Sequence, residues 1–488
     1  MEGILPLIQL PKVSRLVLIL NFKKMTMKSI SIALSCMLFM GLQACKLTDV
    51  TDLKPENKLD ESTVVVDIPS AEKLLAGTYY SLRDEPLANQ TPIYVGLMGL
   101  NVTASGISST PYLSNNVPAN NSSLNSYLYG GPYQLIQTAN FVILKTEALT
   151  STDPRKAQII AEAKFLRALG HFYILRLFGQ FWDMGSTYGI EIKNVPNSAV
   201  AARATVKASY EFILSDLDVA IRDCPEYKTG VMKGYATKLV AKALKARVLL
   251  YERDYAGAAL LAKEVMSGPA VLSADFVNLF TKEKYNADEV LLGSITFANN
   301  NNIYYENGKS YYWTGGGYKL TDRYTELLRQ DQRKSIIVRT STDPVDLLKW
   351  HGNGKFSTGV EGSQNDTEYY LRLAEVYLIY AEAEARRPGG NLEDALRALN
   401  TLHTKRGNPE LNAAGQKELL SLIRKEKELE LGAESGEDWY DIVRYIKNGD
   451  LQAAAVKQSL TDEDKLILPI PQVTVDASNN LVKQNPGY

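Results

Sequence analysis

From residue 132 onward, apolar side chains recur mostly at intervals of three and four, the spacing of one helix face. The pattern predicts helices over 132–148 and 154–178. Each has Pro in its first turn, where a missing N–H costs nothing. The same period marks 205–223, 235–252 and 254–267, then 367–386, 391–406 and 415–431. A shorter helix is predicted from Ser70, read as its N-cap, with Ala71, Leu74, Leu75, Thr78 and Leu82 sharing a face. Two stretches break the rhythm. Residues 86–132 are rich in Asn, Ser, Gly, Pro and Tyr, and 268–366 are irregular apart from a strand-like run at 289–298. Long connections of this kind inside a compact domain are uncommon and often functional.

Two junctions look alike. "ALKARVLLYERDYAGAALLAKEV" and "RLAEVYLIYAEAEARRPGGNLEDALRALN" each run from a helix of small and aromatic residues, through a short turn, into an Ala-rich helix. Small residues at fixed turns let neighbouring helices interlock, as in tetratricopeptide hairpins. The predicted fold class is mainly α: a tetratricopeptide-like helical-hairpin solenoid carrying a loop-rich irregular lobe.

The N-terminus has a different pattern. Lys23, Lys24 and Lys28 precede the short apolar run Ser29–Leu42, which is too short for a membrane span and suits an export signal. The sequence Leu42-Gln43-Ala44-Cys45 resembles a bacterial lipobox, which implies cleavage before Cys45 and lipidation of that cysteine. Residues 1–44 are therefore expected to be a signal peptide, with Met25 or Met27 as alternative starts. Residues 45–69, polar and without periodicity, read as a lipidated tether. The expected location is the cell's outer membrane, surface-exposed and held by lipid.

Composition narrows the function classes. Lys and Arg number 54 against 55 Asp and Glu, so nothing favours a nucleic-acid partner. Cys36, Cys45 and Cys224 make no disulfide framework, and His171, His351 and His403 are too scattered for a metal site. No H-E-x-x-H, G-x-S-x-G or C-x-x-C motif occurs, and "HGNGKF" at 351–356 lacks the first glycine and the final Ser/Thr of a phosphate loop. The expectation is a protein that is not an enzyme and needs no cofactor or metal. His171, between Gly170 and Phe172, reads as a packing residue, and the charge run 424–438 as a solvated helix face with i,i+4 pairs.

Several segments, in order, resemble the SusD/RagB family of outer-membrane nutrient-binding lipoproteins. They are "AEAKFLRALGHFYILRLFGQF" (161–181), "DQR" (331–333), "LRLAEVYLIYAEA" (371–383) and "LPIPQVTVDASNNLVKQNPGY" (468–488). The C-terminal "EKELELGAESGEDWYDIVR" (426–444) departs from the family pattern. Lys427 and Asp438 stand where arginines are usual, while Trp439, Asp441 and Arg444 are kept, which puts the local ion-pair network in doubt. The resemblance implies a SusD-like helical region at 70–267, a ligand lobe at 268–366 and a C-terminal SusD/RagB region at 367–488. It also implies a surface protein that captures glycan and passes it to a SusC-like TonB-dependent transporter, with the tetratricopeptide-like face toward that partner. An oligopeptide receptor is the alternative within the family; a surface glycosidase and a protein-only scaffold are alternatives outside it.

A glycan site calls for aromatic rings against the C–H faces of sugars, with hydroxyls and amides at the rim. The sequence offers 28 Tyr. The expected ligand contacts are Tyr311, Tyr312, Trp313, Tyr304 and Tyr305 in the second irregular stretch, with Tyr112, Tyr127 and Asn101 in the first. Packing of such rings against the helices is the competing role for each of them.

Overall fold

The computed structural model describes residues 64–106, 108–228, 233–294, 318–339, 345–347 and 367–488, and residues 65–488 form one compact unit. Its frame is helical: α1 (Ile68–Tyr80), α2 (Thr91–Met98), α3 (Gly130–Glu147), α4 (Pro154–Phe178), α5 (Val206–Asp223), α6 (Lys238–Glu252), α7 (Tyr255–Met266), α8 (Asp322–Arg329), α9 (Leu373–Arg386), α10 (Leu392–Lys405), α11 (Gln416–Leu431) and α12 (Glu437–Lys447). The mainly α, hairpin-stacked architecture agrees with the sequence reading. Side chains of Asp153, Thr205, Thr237, Asp254 and Asn391 each accept a backbone N–H from the first turn they precede. Each such cap stabilises its helix by about 1 kcal/mol.

Successive helices pack as neighbours from α3 through α7. After α7 the chain leaves the stack, yet α7 then packs on α9, and α9 on α10 and α11. The irregular stretch is thus an interruption in sequence but not in space. Helix α4 lies at the centre and is buried on every side from Phe165 to Phe178. Arg167, His171 and Arg176 persist there because each has a partner. Arg167 donates to both oxygens of Asp216 at 2.7 Å, and Arg176 donates to Glu437 at 2.9 Å. The His171 ring bridges the Arg167 carbonyl (2.9 Å) and the Lys193 N–H (3.1 Å), which makes it a satisfied packing residue.

Short antiparallel strands tie the irregular lobe to the helices. β1 (Val102–Ala104) pairs with β3 (Tyr318–Leu320), and β2 (Val290–Gly293) with β6 (Tyr369–Arg372). β4 (Ile337–Arg339) pairs with β5 (Val345–Leu347). Just past β2, Ser294 N–H donates to the Glu368 carbonyl at 2.8 Å, and Glu368 N–H returns a bond to the Ser294 hydroxyl at 2.8 Å.

The structure corrects several expectations. Asp67 caps α1, and Ser70 sits three residues inside, completing a reciprocal capping box. Residues 86–132 contain α2, a turn of helix at Thr110–Leu113 and a π-helical turn at Leu124–Tyr129, so that stretch is largely helical. Residues 369–372 are strand, and the helix starts only at Leu373. Within 289–298 the described strand is Val290–Gly293; residues 295–298 lie outside the described residues.

The largest correction concerns 424–438. Glu426, Lys427, Glu430 and Glu434 are buried. Arg372, Arg406 and Arg333 converge on Glu430 at 2.8, 2.8 and 3.1 Å. Glu289, just before β2, accepts from Arg372 at 2.6 Å and from Arg406 at 2.7 Å. Arg333 also pairs with Asp331 at 3.0 Å and with Glu426, and Glu426 accepts from the His403 ring at 2.7 Å. The "DQR" motif is thus the lobe's ionic fastener to α11. Lys427 pairs with Asp441 at 2.8 Å, so that local pair survives the change from arginine. Asp438 finds no such partner.

Candidate ligand-binding site

Among the described residues, two aromatic side chains are strongly exposed, Tyr80 at 45% and Tyr235 at 41%. Both line one depression of about 200 Å³, together with Arg83, Gly234, Gly293 and Ser294. Tyr80 ends α1 and faces away from that helix's buried stripe of Ala71, Leu75 and Thr78. The Arg83 guanidinium lies over its ring, 4.5 Å from the centroid.

Tyr235 is set by a chain of contacts running into the core. Gly293 N–H donates to the Lys233 carbonyl at 2.8 Å, fixing the segment before Tyr235 to the end of β2. Ala236 N–H donates to the Tyr79 hydroxyl oxygen at 2.8 Å, and that hydroxyl donates to Glu162 at 2.8 Å. The Tyr79 and Tyr235 rings meet edge to face with centroids 4.8 Å apart. Burial pushes the Glu162 carboxyl above its usual range, against the opposing pull of Arg155 at 2.6 Å.

A second hollow of about 410 Å³ shares Tyr235 and adds Tyr227, Lys233, Arg155, Gln158 and Glu226. The Lys233 ammonium sits 4.3 Å from the Tyr227 ring centroid, donates to its hydroxyl and lies 3.7 Å from Asp288. Burial lowers the Lys233 pKa, with Asp288 opposing the shift. Together the two hollows offer exposed ring faces flanked by hydroxyl, guanidinium, ammonium and amide groups. Such a surface recognises neutral polyols by stacking and hydrogen bonding. Ser294, which lines the smaller hollow, precedes in sequence the segment that carries Tyr304, Tyr305, Tyr311, Tyr312 and Trp313. Those five lie outside the described residues.

The candidates from the first irregular stretch lie elsewhere. Tyr112 is fully buried, its ring 4.4 Å from that of Tyr94 and its hydroxyl donating to Asn121 at 3.0 Å. Burial, then the neighbouring Tyr94, pushes its phenol far above the usual range. Its ring therefore packs the lobe and offers no face to a ligand. Asn101 is also fully buried beside the β1–β3 ladder, where its carbonyl accepts from Thr321 N–H at 3.0 Å. Tyr127 is half-buried in the π-helical turn. Tyr80, Arg83 and Tyr235 were missed in the sequence. For Tyr80 the signal was available, since it falls outside the apolar stripe that ends α1.

Two family models match the chain. One, described as the SusD family, covers residues 280–488. The other, described as starch-binding and associating with the outer membrane, covers residues 51–250. Among curated proteins, SusD-like protein P2 of Formosa agariphila is 24% identical over 409 residues, spanning 73% of this chain and 79% of that protein. A solved SusD superfamily protein from Bacteroides thetaiotaomicron superposes with a TM-score of 0.72 at 23% identity, covering 86% of this chain and all of that one. A laminarin-binding SusD-like protein superposes at 0.68 with 21% identity over 87% of this chain and all of its own. Those two likenesses carry the fold.

Proposed function

This chain belongs to the SusD/RagB family, and from that premise we propose that it is a cell-surface glycan-binding lipoprotein. The observation that carries the reading is the pairing of Tyr80 and Tyr235. The two strongly exposed aromatic rings among the described residues line one depression, together with Ser294. Ring faces of this kind cover the apolar sides of pyranoses, and each well-stacked ring contributes on the order of 1 kcal/mol beyond its area. Tyr304, Tyr305, Tyr311, Tyr312 and Trp313 are proposed as further ligand contacts on the strength of their ring chemistry alone.

Attachment follows from the lipobox reading. Cys45 carries the acyl chains, residues 45–69 act as the tether, and multiple chains hold a protein firmly where one chain is marginal. Among the described residues no helix is long and apolar enough to cross a membrane. The partner is a SusC-like TonB-dependent transporter, to which the bound glycan is delivered without turnover; the protein acts as a receptor and not as a glycosidase.

Affinity electrophoresis of the protein against a panel of soluble polysaccharides tests the binding claim. Retardation by one glucan or other glycan is expected, with no reducing ends released on long incubation. Retardation by none, or release of reducing ends, overturns the reading. Labelling of cells with a palmitate analogue tests the anchor, with loss of label expected in Cys45→Ser.

A further inference from the structure

The family reading leaves unused a cavity lined in part by Asp438. It measures about 450 Å³ and lies between α8, α11 and α12, far in sequence from the tyrosine depression. Its walls are mainly apolar, with Leu100, Leu327, Leu431, Ile442, Leu451 and Val456 prominent among them. Asp438, in the first turn of α12, is part of the wall. Its residue is 8% exposed, and neither carboxylate oxygen has a side-chain partner; the donors that face it are the N–H groups of Trp439 and of Asp438 itself. One oxygen lies so near Gly99 that a Cβ there would approach it to 2.4 Å, so only glycine leaves this acid its place.

Each other charge around the cavity is accounted for. Arg323 bonds Glu428 at 3.0 Å, and Lys427 pairs with Asp441 at 2.8 Å. Arg424 faces Asp450 at 4.0 Å, while Lys425 is exposed to solvent, where screening makes it a minor influence. Lys457 feels the Asp438 charge, but its ammonium is spent on the carbonyls of Met98 at 3.1 Å and of Leu97 and Gly99 at 3.5 and 3.4 Å. Among the described residues, Asp438 is the buried cavity-wall charge without an opposite charge in pairing range. An unpaired buried carboxylate is costly, and an ammonium brought to it supplies both the counter-charge and further donors.

We propose that this cavity is a binding site for a small primary amine with an apolar body, its ammonium on Asp438 and its hydrocarbon against Leu100, Leu327 and Ile442. The site is separate from the glycan platform and stands whether or not that platform binds sugar. Burial, and then Glu428, pushes Asp438 up to about 7, so the acid is half-charged near neutrality. The groups around it that bear on this titration are Glu428, Asp441, Arg323, Tyr324 and Lys457. A ligand ammonium binds the charged form, and an alkylammonium keeps its own proton throughout this range.

Calorimetric titration of the protein with hexylamine, 1-hexanol and hexanoate tests the site. Hexylamine is expected to bind at pH 8 at least tenfold more tightly than hexanol or hexanoate. Its affinity should fall about tenfold between pH 8 and pH 6 as Asp438 takes up a proton. Asp438→Asn should cost at least tenfold for the amine and leave the alcohol unchanged. Leu327→Trp, which fills the cavity without touching Asp438, should abolish amine binding; this serves if Asp438→Asn does not fold. Equal affinity for amine and alcohol, no binding of hexylamine at millimolar concentration, or unchanged amine binding in either folded variant overturns the proposal.

Discussion

Arg372 and Glu430 meet at 2.8 Å with at most 1% of either side chain exposed. The pair joins β6 to α11 at the hub where Arg333, Arg406 and Glu289 also meet. Burial pushes the Glu430 carboxyl up, but Arg406, Arg372 and Arg333 together hold it well below the usual range. Removing one member leaves the others buried and uncompensated. Glu430→Gln is expected to destabilise the protein by about 3–5 kcal/mol, read from urea unfolding. Because the folded pKa is depressed, Glu430's contribution is complete above its unfolded value near 4.5 and is lost only as pH falls below that. The variant's deficit should thus be constant from pH 8 to pH 5 and shrink below pH 4.

Tyr80 is exposed and makes its main contact with Arg83. Tyr80→Ala should weaken retention on a polysaccharide that the wild type binds by about tenfold, while changing stability by less than about 0.5 kcal/mol. Tyr235→Ala should weaken it similarly and cost somewhat more stability, since its ring packs on Tyr79. Full retention by both variants would reject the depression as the ligand surface.

His171 gives a pH dependence of one sign. Burial lowers its pKa to about 3, so the folded imidazole stays neutral while the unfolded one takes up a proton near 6.5. Unfolding then binds a proton at every pH between those values, and stability falls as pH drops below 6.5, by about 1.4 kcal/mol per unit from this group alone. In NMR, the imidazole signal missing from His171→Gln should not titrate between pH 8 and pH 5. Titration in that range would contradict its burial.

Asp438 gives the opposite sign. Its folded pKa of about 7 exceeds the ordinary 3.8, so the folded chain keeps a proton that the unfolded chain has already released. Its contribution therefore falls as pH rises from about 4 to 7 and levels off above. Asp438→Asn removes that loss. The variant is expected to gain on the order of 2 kcal/mol or more at pH 8 relative to its effect at pH 5, seen as a larger rise in Tm at the higher pH. An equal shift at both values would show that Asp438 ionises normally.

The helices with their own local signals were legible. Thr205, Asp254 and Asn391 stand directly before periodic runs, and the helices start directly after them. The run 424–438 was not, for a physical reason. Its alternating charges fit a solvated helix, but the arginines that bury Glu426 and Glu430 come from residues 333, 372 and 406, and periodicity sees only neighbours on the same helix. Helix α12 was missed because Ala433, Ser435 and Gly436 take positive φ and turn the chain just before it, a geometry that only Gly436 announces. The candidate site was half-visible. Ring chemistry pointed to tyrosines in irregular sequence, but which rings stay outside depends on what packs over them. Tyr112 is covered by Tyr94, whereas Tyr235 is lifted to the surface by Tyr79 beneath it.

Ser294 and Glu368, joined by two reciprocal hydrogen bonds, make one doorway through which the chain leaves the helical frame and comes back. A loop whose ends are already pinned together pays little for added length, about 0.6 kcal/mol for each doubling. Segment 295–317 begins at this doorway, and 348–366 leads back to it. The span between Ser294 and Glu368 can therefore change in length with the frame left standing, as long as Asp331 and Arg333 still reach the Glu430 hub. On that view the length of the span and the integrity of the frame are set independently.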